Sequence, residues 1–259
     1  MAIKVVPLTE EDIPATVEVI QQAFADDPYF NWVFDKSSFN PQRNYDSLAA
    51  RCRWGIKNAI FEVAKDTGAD SASPSILGVS CWLAPQQESQ PESWYSWYQS
   101  WVLSWRQLVT NIRYGGRGGL RTHRYWIWKD RQQEAQKSIW DDPRGYYFCN
   151  IVAVSPEAQG RGVGRRLFES VTNKADREGM KCYLESSKKE PNVKIYEKMG
   201  FEMRKEMECR DGDDVCMYLA NFGISGGVHI DLLYGAGAQS HSVEESWRVE
   251  TPILRDLRL

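Results

Sequence analysis

Hydrophobic and polar positions along this chain switch repeatedly between the period of a strand and that of a helix. Residues 3–7 (IKVVP) read as a first strand. Thr9 then stands as an N-cap, with Glu11 and Asp12 in the first turn of a helix that runs to about Phe24. Ile13, Val17, Ile20 and Phe24 recur along it at helical spacing. Ala25-Asp26-Asp27-Pro28 breaks the pattern, and a shorter aromatic segment follows from Tyr29 to Phe34. A helix is expected over 41–58 and strands over 59–65 and 76–83, with a polar, small-residue loop between the strands. Two more helices are expected, over about 92–113 and within 121–138, on either side of a GGRGG stretch at 115–119.

From residue 146 the pattern sharpens. YYFCNIVAV (146–154) is a nearly continuous apolar run, as in a buried central strand. A loop, SPEAQGRGVG, follows it. Residues 163–178 read as a helix with Leu167, Phe168, Val171 and Ala175 on one face and Gly179 as its stop. KCYLESS (181–187) is a second strand. Asn192 is an expected N-cap for a short helix over 193–199 that Gly200 ends. Segments 201–209 and 214–220 read as a hairpin around Asp211-Gly212. That hairpin would set Cys209 and Cys216 on facing strands. The tail, 221–259, is glycine- and serine-rich at first, with weak periodicity.

Composition narrows the classes. The 259 residues suit one large domain or two small ones. The net charge of −3 argues against a protein that coats nucleic acid. No apolar run approaches the ~20 residues of a membrane span. The opening MAIKVVPLTEED lacks the pattern of a secretory signal. The six cysteines are scattered, without a metal-like spacing. The expectation is a cytoplasmic protein with reduced thiols, which argues against a bond between Cys209 and Cys216.

Strand, glycine loop, helix and strand is a general arrangement for holding phosphates, because free N–H groups at the helix start face the anion. Gln159-Gly160-Arg161-Gly162-Val163-Gly164 fits it. A Walker A loop does not match, and a dinucleotide fingerprint fails on spacing, with Arg165 where its third glycine belongs. A glycine-rich turn that binds nothing is the plain alternative.

At these residues the sequence resembles the GCN5-related N-acetyltransferase (GNAT) superfamily. The pattern [QR]-x-x-G-x-[GA] stands here as Gln159-x-x-Gly162-x-Gly164. VAVSPEAQGRGVGRRLF, YLESS and PNVKIYEKMGF support it, and the last two look most like the puromycin N-acetyltransferase branch. QAFADDPYFNWVF resembles that branch's first-helix region. The stretch 86–140 and the tail 221–259 are not explained by the resemblance.

The resemblance implies an α/β fold: a central mixed, mostly antiparallel sheet flanked by helices, here with a helical Trp-rich insertion over about 86–140. The domain would span 1–220, with 221–259 as a C-terminal extension. The implied activity is direct acetyl transfer from acetyl-CoA to a primary amine of a small molecule, with detoxification of the amine as one reading. A protein Lys or N-terminal acetyltransferase and a non-catalytic acyl-CoA-binding module are the rivals. Val152, Ala153 and Val154 would pair with the pantetheine arm, and backbone N–H groups of residues 159–165 would hold the pyrophosphate. Arg161 and Arg165 would add positive charge. Tyr196 is the implied general acid, Glu185 the candidate base, and Asn192 a cofactor contact. For each there is a plainer reading: a packed tyrosine, a salt-bridged strand end and a helix cap.

The acceptor side is less legible. Asp26 and Asp27 could pair with a cationic amine or only end a helix. Trp94, Trp97, Trp101 and Trp105 line one helical face. The plain expectation is that this face packs on the domain; alternatively Trp97 and Trp101 wall an acceptor site, or the face meets a partner. Residues 106–131 carry seven Arg and Lys against Asp130 alone, a solvated face or an anion contact. A monomer or homodimer without nucleic acid, membrane or metal completes the expectation.

Overall fold

The protein was analysed as a computed structural model. The structure describes residues 2–68, 75–86 and 93–224, with 215–224 as backbone only. Seven strands form one sheet: β1 (Ile3–Pro7), β2 (Ile60–Asp66), β3 (Ile76–Leu83), β4 (Tyr146–Val154), β5 (Lys181–Ser186), β6 (Glu202–Asp211) and β7 (Asp214–Ile224). Their spatial order is β1-β2-β3-β4-β5-β7-β6. Only β4 and β5 are parallel; every other neighbouring pair is antiparallel. That parallel pair needs a crossover, which the glycine loop and the following helix provide.

Seven α-helices cover the sheet: α1 (Ile13–Phe24), α2 (Pro28–Val33), α3 (Pro41–Asn58), α4 (Trp94–Arg113), α5 (Thr122–Ile139), α6 (Val163–Glu178) and α7 (Asn192–Glu197). On one face, Val17, Ile20 and Cys52 of α1 and α3 pack with Phe61, Val79, Cys81 and Ala153 of the sheet. On the other, Phe168, Val171 and Ala175 of α6 pack with Trp82, Cys149, Cys182 and Leu184. Leu167 and Val171 are at most 1% exposed. Each such side chain contributes roughly 1.5–3 kcal/mol of burial, which fixes α6 and therefore the loop that opens it.

Three sequence expectations change. Pro191 is the N-cap of α7 and Asn192 its first residue, so the Asn192 side chain is released from capping. Across the β6–β7 hairpin, Cys209 lies opposite Met217, not Cys216, because a register shift falls between Cys209 and Arg210. Cys209 is a free thiol. β7 runs to Ile224, past the boundary expected at 220; residues 225–259 of the expected extension lie outside the described residues.

Candidate active site

The site begins with a bulge. Cys81 pairs with Ile151 and Trp82 with Cys149, so Asn150 is one residue too many on β4. The extra residue resets the alternation of side chains. Cys149 faces α6, whereas Ile151 and Ala153 face α1 and α3. The bulge also redirects the strand. Pairing between β4 and β5 runs from Tyr146–Lys181 to Cys149–Leu184 and stops there. Beyond that point β4 stays with β3, while Glu185 and Ser186 pair with β7. The two strands therefore part, and the edge of Asn150–Val154 that faces β5 has no strand partner among the described residues. Val152, Ala153 and Val154 lie on that edge. The sequence reading did not include Asn150; an asparagine inside an otherwise apolar run was its only signal.

The loop from Ser155 to Gly162 leads from this edge into α6. Gly160 and Gly162 both have φ of +75°, a conformation that an L-residue enters at a cost of about 1–2 kcal/mol. A Cβ at either would meet nothing within 4 Å, so both backbones border open space. Gly162 is the N-cap of α6 and brings no side chain to its first-turn N–H groups. Those groups, at Val163, Gly164 and Arg165, stand with the positive end of a 16-residue helix. Gly164 differs: its added Cβ would make ordinary contact with Val154 at 3.6 Å. Arg165 is ion-paired to Glu169 (2.6 Å) on the exposed face, and Gln159 and Arg161 lie in the loop itself. A free strand edge running into an uncapped helix N-terminus fits a ligand with a peptide-like arm and a pyrophosphate, as in acetyl-CoA.

Glu185 and Tyr196 approach the end of β5 from opposite faces. Glu185 points under α5. Its Oε2 accepts from Gln132 Nε2 at 2.7 Å, and its Oε1 accepts from the Tyr183 hydroxyl at 2.8 Å and from Gln136 Nε2 at 3.5 Å. Lys129 Nζ in turn donates to Gln132 Oε1 at 3.1 Å. Burial raises the Glu185 pKa above the usual carboxylate range, against the opposing pull of Gln132, Tyr183 and the Lys129 charge. Gln132, Gln136 and Lys129 come from the stretch the resemblance had left unexplained. Their spacing places them on one helix face, but only the fold shows which strand end that face meets.

Tyr196 projects from α7 into the α6 side of the core, against Phe168 and Phe201, and is 8% exposed. Burial raises its pKa, and the nearby Cys149 and Asp27 raise it further, against a hydrogen bond to Ser186. Ser186 gathers the site's polar groups, because Asn192 Nδ2 also donates to its Oγ at 2.9 Å. Asp27 is buried at the same end of β5. Its Oδ1 caps α2 by accepting from Tyr29 N (2.9 Å) and Phe30 N (3.2 Å), while its Oδ2 accepts from Ser187. Asp26 is exposed in the preceding turn.

Trp97 and Trp101 lie elsewhere. They line an open groove of about 1050 Å³ between α3 and α4, which none of Asp27, Glu185 and Tyr196 lines. Nor does most of the Trp face pack on the domain, as the spacing had suggested: Trp94, Trp97 and Trp105 are more than half exposed, and Trp101 is partly buried. The face of α4 that meets α3 is polar: Gln107 bonds Ser47, Asn111 bonds Arg43 and Tyr114 bonds Asp46. The basic run is largely neutralised within the chain, with Arg113 on Asp46, Arg121 on Asp35, Arg124 on Asp211 and Asp214, and Arg131 on Glu134. Among the described residues, no helix is long and apolar enough to cross a membrane.

Residues 121–203 match the family model described as an acetyltransferase (GNAT) domain. That match begins at α5 and so includes the helix over Glu185. An uncharacterized N-acetyltransferase of Schizosaccharomyces pombe is 34% identical over 124 residues, 48% of this chain and 47% of that protein. The chain thus spans about half the length of this curated relative. Among solved structures, a histone acetyltransferase HPA2 and related acetyltransferase from Corynebacterium glutamicum superposes with a TM-score of 0.54 at 20% identity, over 88% of this chain and 99% of that one. The Drosophila melanogaster polyamine N-acetyltransferase, which forms N-acetylagmatine, gives 0.51 at 11% identity, over 86% and 100%. The fold is the GNAT fold, and the parted strands, the glycine loop and both candidate catalytic groups lie within the residues that match the acetyltransferase (GNAT) domain model.

Proposed function

We propose that this chain is an acetyl-CoA-dependent N-acetyltransferase that passes the acetyl group directly to a primary amine of a small molecule. The observation that carries the reading is the opening between β4 and β5, with Glu185 on one face of the strand end and Tyr196 on the other. A thioester placed in that opening would have a base on its acceptor side and an acid on its thiol side.

Each proton problem then has an owner. An alkylamine is an ammonium at pH 7, with a pKa near 10, and must lose a proton before it attacks. Glu185 accepts it, directly or through one water, and its raised pKa makes it a better base than an exposed glutamate. The departing thiolate needs a proton or a hydrogen bond. Tyr196 is protonated at neutral pH and offers its O–H there. No covalent enzyme intermediate is needed. Val152–Val154 would bind the pantetheine arm as an added strand, and the first-turn N–H groups of α6 would hold the pyrophosphate. Asn192, freed from capping, is available to the same ligand. Asp27, buried at the same end of β5, would balance part of an amine's charge. The small-molecule acceptor rests on the likeness of residues 183–187 and 191–201 to the puromycin-type branch, and on α5, which covers the Glu185 side that a polypeptide would have to enter.

The test is CoA release from acetyl-CoA against aminonucleosides, polyamines, arylalkylamines and Lys-containing peptides, with mass spectrometry of the products. Turnover on one small-amine class that falls in Glu185→Gln and Tyr196→Phe supports the reading. Turnover on peptides alone replaces the acceptor, and acetyl-CoA binding without any turnover replaces the enzyme with a binding module.

A further inference from the structure

Helix α4 exposes what most helices bury. Among the described residues, seven of the nine most exposed large hydrophobic side chains belong to it, including Trp94 (76% exposed), Trp105 (52%) and Ile112 (72%). This exposure is specified by the fold, because the polar pairs from Gln107, Asn111 and Tyr114 to α3 fix the opposite face inward. Turning α4 to bury its tryptophans would strand those pairs.

The outward face has an internal order. Trp94, Tyr98, Trp101, Trp105, Leu108 and Ile112 are spaced 4, 3, 4, 3 and 4 residues apart. That is the seam of a coiled coil. The spacing also reads the same in both directions about Leu103. A second copy of the helix, turned end for end, would set Trp101 against Trp105, Tyr98 against Leu108 and Trp94 against Ile112. Such self-complementarity is what a two-fold interface requires.

Charge does not oppose the pairing. α4 has no acidic residue, and its two cations, Arg106 and Arg113, fall outside the seam, so pairing buries no charge along it.

The area is also sufficient. Five half-exposed aromatic residues, at roughly 150–250 Å² each when fully covered, offer about 500 Å². Val109, Ile112 and the groove beside Ala49 and Ala50 add to it. The total approaches the ~800 Å² per partner of a stable interface.

We propose that α4 is the homodimerisation helix of this protein, pairing antiparallel with α4 of a second copy about a two-fold axis near Leu103. The pairing is independent of the acetyl-transfer chemistry. Sedimentation equilibrium of the full chain at micromolar concentration should give twice the chain mass of 29.8 kDa. The double variant Trp94→Glu, Trp105→Glu should give the single mass with an unchanged far-UV circular dichroism spectrum, since both side chains are more than half exposed. A wild-type mass of one chain up to about 50 μM would overturn the proposal, as would a double variant that stays dimeric. If that monomer floated with phosphatidylserine-containing vesicles, a lipid surface would replace the second copy as occupant. Orientation is read separately: the double variant Trp94→Cys, Ile112→Cys should crosslink on mild oxidation, whereas Trp94→Cys alone should not. Crosslinking through position 94 alone would overturn the antiparallel arrangement.

Discussion

Helices α4 and α5 follow each other in the chain, are similar in length and are both rich in tryptophan, yet the fold uses them in opposite ways. α5 turns its polar residues inward to a buried carboxylate: Gln132 and Gln136 close on Glu185, and Arg124 ties its start to the β6–β7 hairpin. Its aromatic residues are half-buried, Trp128 packing tilted against Tyr29 of α2 with ring centroids 4.8 Å apart. α4 turns its polar residues inward only to hold on to α3, and its aromatic residues remain outside. Inward polarity on α5 holds the proposed base, and on α4 it orients a surface. A polar residue facing a protein's interior is therefore not a site by itself. What decides is whether its partner is a group with further chemistry, as Glu185 is and Ser47 is not.

The largest effects should fall on the two groups at the end of β5, Glu185 under α5 and Tyr196 on the α6 side. Glu185→Gln and Tyr196→Phe should each lower turnover by about 10²–10⁴-fold, the usual span for a lost general base or acid, measured as CoA release at saturating acetyl-CoA. The same assay on the α4 variant Trp105→Ser should stay within about twofold of wild type. Equal losses in both helices would break the contrast.

Gln132→Leu should have an intermediate effect that separates positioning from mere packing. Gln132 stabilises the charged form of Glu185, so its loss should push that pKa further up. A base must be deprotonated to act, so the acidic limb of the kcat/KM profile should move to higher pH. Turnover at pH 7 should drop by about tenfold or less and recover partly as pH rises. A uniform loss at every pH would leave Gln132 a structural residue only.

Arg124→Ala should act on stability. The guanidinium bonds Asp211 and Asp214 at 2.8 and 2.7 Å with its own side chain 14% exposed. Losing these contacts should cost about 1–2 kcal/mol, or about 4 °C in Tm by calorimetry. Last come the glycines. Gly160→Ala should cost about 1–2 kcal/mol, from its left-handed φ alone. Gly164→Ala, with an ordinary contact to Val154, should be close to neutral in the same melt.

The sequence by itself determined most of the elements and the place of the glycine loop. The strand at 146–154 and the helix at 163–178 stand where the apolar pattern set them, because both are governed by local periodicity and local breakers such as Gly179. Glu185 and Tyr196 were legible through the resemblance, as residue types at fixed offsets from that loop. Tertiary structure alone decided the rest, because those features depend on partners far away in the chain. The bulge at Asn150 arises from the register of β4 against β3. Glu185's donors come from a helix some 50 residues upstream. Asp27 joins the site only through Ser187. The outward turn of the tryptophans on α4 was the hardest to foresee. Periodicity shows that a helix has two different faces, but the bonds from Gln107 and Asn111 to α3 decide which of them faces the solvent.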